Sequence, residues 1–421
     1  MVYTGDHNVT KEDIVKQVES GFNIKLHSPR LALLYLSTRK YVLSTTWPHF
    51  TLLGQSLGSL ILAYDALSLL TPDIFIDTMG YAFALAFAKL LLPAVPTAAY
   101  VHYPTISTDM LSSLGDVTSE TAHTTSRGLN AGSGAGFRGF LKRQYWQLFA
   151  WLYAQVGASI DVVMTNSSWT QSHILALWGP NRSRRTGCLP VSVVFPPVAV
   201  GELEGSIELN DASEAKRESK LLYIAQFRPE KNHALVLRSF ADFLTKLESS
   251  TSQPKASPQL VLLGSVRNSA DETLVYSLRL LAHELHITAS VSFVLNASWP
   301  DILAHLRTAH VGVNAMWNEH FGIGVVEYQA AGLLCVVNDS GGPRADIIRD
   351  IGEGETGWRA ETQADYAAAF EKAFNVRGKE ATDWRTRARN SASRFGEDVF
   401  EARWVEQLDL LIKRQTHLQG G

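Results

Sequence analysis

Cysteine is almost missing from this chain of 421 residues: Cys188 and Cys335 are the only two. Both lie in apolar or turn contexts with no partner at metal-ligand spacing, so neither a disulfide framework nor a thiolate metal site is expected. A reducing compartment is the simplest setting for such a composition. A surplus of one charge is missing too. The formal net charge is −3, which gives none of the basic stripe that nucleic-acid binders carry, so no nucleic-acid partner is expected. Long apolar runs are also lacking. No segment reaches the roughly 18 to 20 uninterrupted apolar residues of a spanning helix. The nearest, Leu52–Leu70, is broken by Gln55, Ser56, Gly58, Ser59, Tyr64 and Asp65 and reads as a buried helix. Met1–Asp6 has neither the basic start nor the apolar core of a signal peptide.

What is present is a repeating alternation. In the second half, short apolar runs at Leu221–Ala225, Leu260–Leu263, Val291–Val294, Val311–Val313 and Leu334–Val337 are spaced to leave room for a helix between them. Near-continuous hydrophobic strands of this kind fit a parallel sheet covered on both faces. Helical patterns such as Ala234–Leu247 and Asp271–Leu285 fall between them, which implies a doubly wound α/β domain. The first half repeats the logic at Ile74–Ile76, Ala98–Val101, Val162–Met164 and Val191–Phe195. Phe195-Pro-Pro197 closes that half, and the polar stretch Glu202–Ser219 reads as a linker. The expected architecture is therefore α/β, with two Rossmann-like domains (residues 1–200 and 201–395) facing across a cleft. Residues 396–421 are expected as a C-terminal helix packing back toward the first domain. Ligands of such sheets bind at the carboxyl ends of the strands, here at the cleft.

Two further segments stand out by composition. Ser112–Gly139 is rich in serine, threonine and glycine and reads as an inserted loop. The following Phe140–Tyr153 has a basic start and dense aromatics. It fits either a membrane-surface helix or a core helix with a basic first turn.

The chemistry concentrates in Met316-Trp-Asn-Glu-His-Phe-Gly-Ile-Gly-Val-Val-Glu-Tyr-Gln-Ala-Ala-Gly332. A strand runs into a loop and then a helix that Gly332 is placed to cap. Gly322 and Gly324 remove side chains where the helix begins, so its free backbone N–H groups can meet a phosphate closely. Glu319 precedes the helix and Glu327 lies about a turn inside it, which lets both carboxylates border one cavity. A carboxylate accepts two hydrogen bonds at once and suits the vicinal hydroxyls of a ribose or hexose. The second stretch, Gln226-Phe-Arg-Pro-Glu-Lys-Asn232, follows the first strand of the second domain. Arg228 and Lys231 stand three apart there, suited to neutralising a leaving diphosphate. No Asp-x-Asp pair flanks these motifs, so no metal site is predicted.

Glu319 to Glu327 has the E-x7-E spacing of retaining glycosyltransferases with the GT-B architecture, and the chain resembles glycosyltransferase family 4. Asp77-Thr-Met-Gly-Tyr-Ala-Phe83, Tyr100-Val-His-Tyr-Pro-Thr-Ile-Ser-Thr-Asp-Met110, Thr165-Asn-Ser-Ser-Trp-Thr170, Gln226–His233, Met316–Glu327 and Asn338-Asp-Ser-Gly-Gly-Pro343 extend the likeness along most of the chain. They resemble the GDP-mannose-dependent α-1,2-mannosyltransferases that extend the dolichol-linked Man3GlcNAc2 core by its fourth and fifth mannoses. That resemblance implies GDP-mannose as donor substrate with no separate cofactor. It implies a dolichol-linked acceptor, the cytosolic face of the endoplasmic reticulum membrane, and contact with the membrane surface and with other mannosyltransferases of the same route. It also implies roles: Arg228 and Lys231 on the diphosphate, Glu327 on the ribose, Glu319 on the mannose, and the backbone of Gly322 and Ile323 at the phosphates. His102 falls near the transferred sugar, and Tyr103–Asp109 on the acceptor side. The family's amino-terminal membrane helix and glycine-rich loop have no counterpart in this sequence, where Met1 falls near the expected second strand. Three alternatives stay open at this level: another family 4 enzyme with a different donor, a sugar-nucleotide epimerase, and a chain that binds nucleotide without turnover.

Overall fold

Runs of consecutive buried residues, such as Leu334–Asn338 and Thr97–Val101, form strands covered on both faces. The computed structural model describes residues 1–22, 24–112, 137–185, 187–249 and 257–420. Its largest sheet has six parallel strands: β7 (Lys220–Ile224), β8 (Gln259–Gly264), β9 (Val291–Leu295), β10 (Val311–Asn314), β11 (Leu334–Asn338) and β12 (Trp358–Ala360). Their order is β12-β11-β10-β7-β8-β9, so the chain winds outward in opposite directions from the adjacent pair β7 and β10. That pair is the topological switch point of the sheet, where loops diverge and a crevice opens at the carboxyl ends.

Two apolar layers cover this sheet. One includes Leu221, Tyr223, Phe240, Phe243 and Phe370, from beneath the helices His233–Glu248 and Gln363–Asn375. The other includes Leu222, Val325, Val326 and Phe395, against the helix Ile323–Ala330. Each fully buried aliphatic or aromatic side chain contributes about 1.5–3 kcal/mol, so this double-sided core is a main source of the second domain's stability.

The amino-terminal half holds a four-stranded parallel sheet in the order β3-β4-β5-β6, formed by Phe75–Asp77, Thr97–Val101, Val162–Thr165 and Ser192–Val193. A separate parallel pair, β1 (Val2–Thr4) and β2 (Leu33–Tyr35), is tied to it through Tyr3, whose hydroxyl donates to Leu70 O at 3.0 Å and whose ring meets Phe75 edge-on. The last helix, Glu397–Gly420, crosses back onto this first sheet. Leu411 is buried with Tyr100, Val162 and Met164, and Trp404 meets the Tyr100 ring at 5.6 Å.

Two sequence expectations change here. Glu202–Ser219 is not an open linker: Val200–Ser206 and Asp211–Glu214 are helices, and Arg217 donates to Leu306 O, Ala309 O and Ala331 O at 2.7–2.8 Å. Leu52–Leu70 forms the helix Thr51–Leu69, but only 39% of its most apolar window is buried, and by length and composition it is apolar enough to cross a membrane. The reason is which residues turn inward. Gly54, Ser56, Gly58, Ser59, Ala63 and Ala66 are the buried ones, because the helix lies so close to the segment before it that a Cβ on Gly58 would stand 1.9 Å from Tyr41 O. The bulkier Leu57, Ile61 and Tyr64 are left outside at 49%, 43% and 64% exposure. Of the inserted loop expected over Ser112–Gly139, the two ends alone are described. Residues 113–136 lie outside the described residues, while Ser112 ends a short helix and Phe137–Gly139 begins the next. That helix, Phe137–Ala158, combines both readings of Phe140–Tyr153: Phe149 and Tyr153 are buried, whereas Phe140, Leu141, Leu148 and Trp151 are exposed.

Candidate active site

The loops leaving β7 and β10 meet at the switch point. After β10 the chain turns through Asn318, held in the left-handed region (φ 51°), and enters the helix Ile323–Ala330 at Gly322 (φ 108°). Only glycine adopts that second conformation without strain. Its Cβ would also stand 3.1 Å from Pro343 Cγ. The helix ends at Gly332 (φ 74°), where Leu333 N–H donates back to Tyr328 O at 2.8 Å. After β7, a short 3-10 turn at Pro229–Lys231 leads through left-handed Asn232 into the helix His233–Glu248.

Lys231 Nζ donates to Glu319 Oε2 at 2.6 Å, joining the two loops across the crevice. Asn314 Nδ2 donates to the same oxygen at 3.4 Å. Arg228 shares the turn with Lys231 but points elsewhere, its guanidinium 4.0 Å from Glu230. Glu327 lies one turn inside the helix beside Gly324, where an added Cβ would come within 3.9 Å of both Glu327 Oε2 and Ile224 O. Glu327 keeps partial access to solvent, yet protein surrounds its carboxyl closely enough that burial pushes its pKa up to about 7. Next to it, Tyr328 Oη accepts from Ile224 N–H at 2.6 Å and ties the helix to β7.

A third loop was not assigned a role from sequence. Gly342 N–H donates to Glu319 O at 2.7 Å, and Ser340 Oγ accepts from Asn318 N–H at 2.7 Å. A Cβ on Gly341 (φ 62°) would lie 2.3 Å from Glu319 O, and one on Gly342 2.5 Å from Phe321 Cα. The paired glycines are therefore what let this loop support the backbone of Glu319. The pairing Gly341-Gly342 directly after a strand was the signal available in the sequence.

The first domain contributes the segment after β4. His102 lies open at the cleft, its ring edge-on to Tyr100 at 4.8 Å and its carbonyl accepting from Thr170 Oγ1 at 3.3 Å. Nearby protein lowers its pKa by desolvation, opposed by a hydrogen bond to the Thr78 backbone. Across from it, His320 is pushed down to about 4, chiefly by burial, with Lys231, His102 and His173 adding to the effect and Glu319 opposing it. Glu319, Lys231 and His102 thus converge around one ring, although they come from three different loops. Among the described residues, no group of three or more His, Cys, Asp or Glu side chains is gathered as a metal site.

Two facing parallel sheets, with acidic and basic side chains meeting at the switch point of the second, define a GT-B glycosyltransferase. Solved structures share this fold. Trehalose 6-phosphate synthase from Burkholderia multivorans matches with a TM-score of 0.63 at 12% identity, over 86% of this chain and 77% of that one. Anabaena Alr3699/HepE matches with a TM-score of 0.58 at 13% identity, over 84% of each. Residues 1–178 match the family described as ALG11 mannosyltransferase N-terminus, and residues 207–391 match Glycosyl transferases group 1. A Neurospora crassa protein named GDP-Man:Man(3)GlcNAc(2)-PP-Dol alpha-1,2-mannosyltransferase is 58% identical over 98% of this chain and 74% of its own length. Proteins of the same name from Xenopus laevis and Homo sapiens are 40% and 39% identical over 98% of this chain, and over 81% and 80% of their own lengths. The chain belongs to this family of alpha-1,2-mannosyltransferases.

Proposed function

We propose that the protein transfers mannose from GDP-mannose to dolichol-diphosphate-linked Man3GlcNAc2, adding two α-1,2-linked mannoses with retention of configuration. The Lys231–Glu319 pair at the switch point carries this reading, because it sets a cation and a carboxylate where a sugar diphosphate has to be held. In the donor complex, Lys231 and Arg228 neutralise the diphosphate, and the N–H groups at Gly322 and Ile323 meet it at the helix end. Glu327 accepts from the ribose hydroxyls, and Glu319 from the mannose hydroxyls beside the anomeric carbon. His102 approaches the mannose from the first domain. The bond between the anomeric carbon and the diphosphate oxygen breaks as the acceptor oxygen bonds to the same face. The acceptor proton passes to the departing phosphate, so no metal or separate cofactor is required. The charge developed on that phosphate is the main quantity to stabilise, and Arg228 and Lys231, at the turn after β7, are the cations suited to it.

Work on a lipid-linked acceptor fits a protein at the endoplasmic reticulum membrane, and we infer its cytosolic face. An apolar surface supports that setting: Leu57, Ile61 and Tyr64 on one helix lie exposed, as do Leu90 on the helix packed beside it and Phe140 and Trp151 on the helix packed against that second one. The helix Phe137–Ala158 contains no acidic residue and carries Lys142 and Arg143 in its first half, a distribution suited to anionic lipid. The reading is tested by supplying GDP-mannose and a lipid-linked trimannosyl chitobiose acceptor. Extension by two α-1,2-linked mannoses is the expected product. Absence of any extension while GDP still binds would sink it.

A further inference from the structure

Ring stacking and hydrogen bonds also bridge the cleft between the two domains. His320, one residue past Glu319, stacks on Tyr103 with ring centroids 4.2 Å apart and planes 10° from parallel. It also lies parallel to Trp169 at 5.7 Å, and Tyr103 and Trp169 are themselves stacked at 5.8 Å. His320 belongs to the loop after β10 in the second domain, while Tyr103 and Trp169 follow β4 and β5 in the first. Trp169 is buttressed from behind by the edge of His173 at 4.3 Å, and His173 Nδ1 is held by Thr108 Oγ1 at 2.6 Å. On the other side of Glu319, Asn318 Nδ2 donates to Asp109 Oδ2 at 2.9 Å, again across the domains. The residues flanking Glu319 on both sides are thus fastened to the opposite domain. A third bridge runs from Ser168 N–H to Asp346 Oδ2 at 2.9 Å.

We propose that His320 is a positioning residue whose stack with Tyr103 and Trp169 clamps the Glu319 loop to the acceptor-side domain. Cleft closure and the placement of Glu319 are then one event: the loop that grips the donor sugar is seated only when the acceptor side has swung against it. Flat rings suit this task, since an offset stack tolerates sliding during approach yet has a defined spacing at rest. The clamp acts on transfer rather than on nucleotide capture, because Arg228, Lys231 and Glu327 all belong to the second domain alone. The inference rests on the donor occupying that domain, as proposed above.

The test compares the full chain with His320→Ala, His320→Phe, Tyr103→Ala and the Tyr103→Ala/His320→Ala double variant. Three measurements are made on each: GDP affinity by calorimetry, small-angle scattering without ligand, and steady-state transfer. For His320→Ala the expected results are GDP affinity changed less than about twofold, a larger radius of gyration, and kcat lowered about ten- to a hundredfold, the scale of an ångström of misplacement at a reacting centre. His320→Phe keeps a flat ring and recovers both compactness and most of kcat. The double variant is no worse than the poorer single one, because both remove the same contact. The clamp is overturned if His320→Ala scatters like the parent, if His320→Phe is as defective as His320→Ala, or if the loss falls on GDP affinity with kcat intact. A parent that binds GDP but transfers no mannose would refute the reaction assigned above. The clamp is then decided by the scattering alone.

Discussion

Glu327 is the residue whose chemistry is most exposed to a pH experiment. Burial raises its folded pKa to about 7, well above that of an unfolded glutamate. A raised carboxyl opposes folding once it must ionise, so this penalty is absent below the unfolded pKa and complete above about pH 7. Glu327→Gln should therefore stabilise the protein by about 1–2 kcal/mol at pH 8 and by nothing at pH 4, read from denaturant midpoints at the two values. Its carboxylate form is the one suited to ribose hydroxyls, so transfer should rise as pH climbs through about 7. Glu327→Gln should flatten that limb and weaken GDP binding. Glu319 differs, because it already accepts from Lys231 at 2.6 Å. Glu319→Ala should cut kcat by about 10²–10³-fold, as expected for a lost transition-state contact, while GDP binding stays within a few-fold of the parent. An unchanged kcat would remove Glu319 from the reaction.

At the scale of elements, the site depends on loops that approach one another more closely than side chains allow. Gly341 sits at φ 62° with the Glu319 carbonyl where a Cβ would go. Gly341→Ala should destabilise by about 2 kcal/mol or more from strain and overlap, and should also lower transfer by shifting Glu319. A thermal melt beside an activity assay checks both. The helix Gly378–Ala392 is anchored in a different way. Buried Arg385 donates to Glu214 Oε2 at 2.7 Å, His310 Nδ1 at 2.8 Å and Gly332 O at 2.6 Å, joining that helix to the interdomain segment and to the end of the active-site helix. Removing one partner of a buried pair leaves the other uncompensated, so Arg385→Leu should cost about 3–5 kcal/mol, measured by urea unfolding. The strands and long helices were legible as runs of Val, Leu and Ile with helical spacing between them. The three-way meeting of loops was not, because left-handed residues and glycine contacts depend on which loops become neighbours.

For the whole molecule, the first domain carries the apolar surface and the second carries most of the charged site. Replacing Leu57, Ile61 and Trp151 together by serine should reduce flotation with vesicles containing anionic lipid, and should leave GDP affinity unchanged. Equal flotation of parent and variant would mean that this surface does not face a bilayer. The helix Thr51–Leu69 shows why the surface was misread from sequence. Its fully buried positions are all small residues while Leu57, Ile61 and Tyr64 are left outside, the reverse of the usual amphipathic arrangement.

The order of residues alone determined the doubly wound architecture, because strand burial on two faces needs continuous apolar runs and the helices between them a 3.6-residue pattern. It also placed Arg228, Lys231, Glu319 and Glu327 at the two strand-to-helix turns of one domain. Only the tertiary structure decided that those turns leave adjacent strands β7 and β10, since strand order depends on which crossovers pack and not on their position in the chain. Nor did the sequence disclose that His320 lies against Tyr103 and Trp169. His320 is more than a hundred residues from either ring, and the contact exists only once the two domains have met.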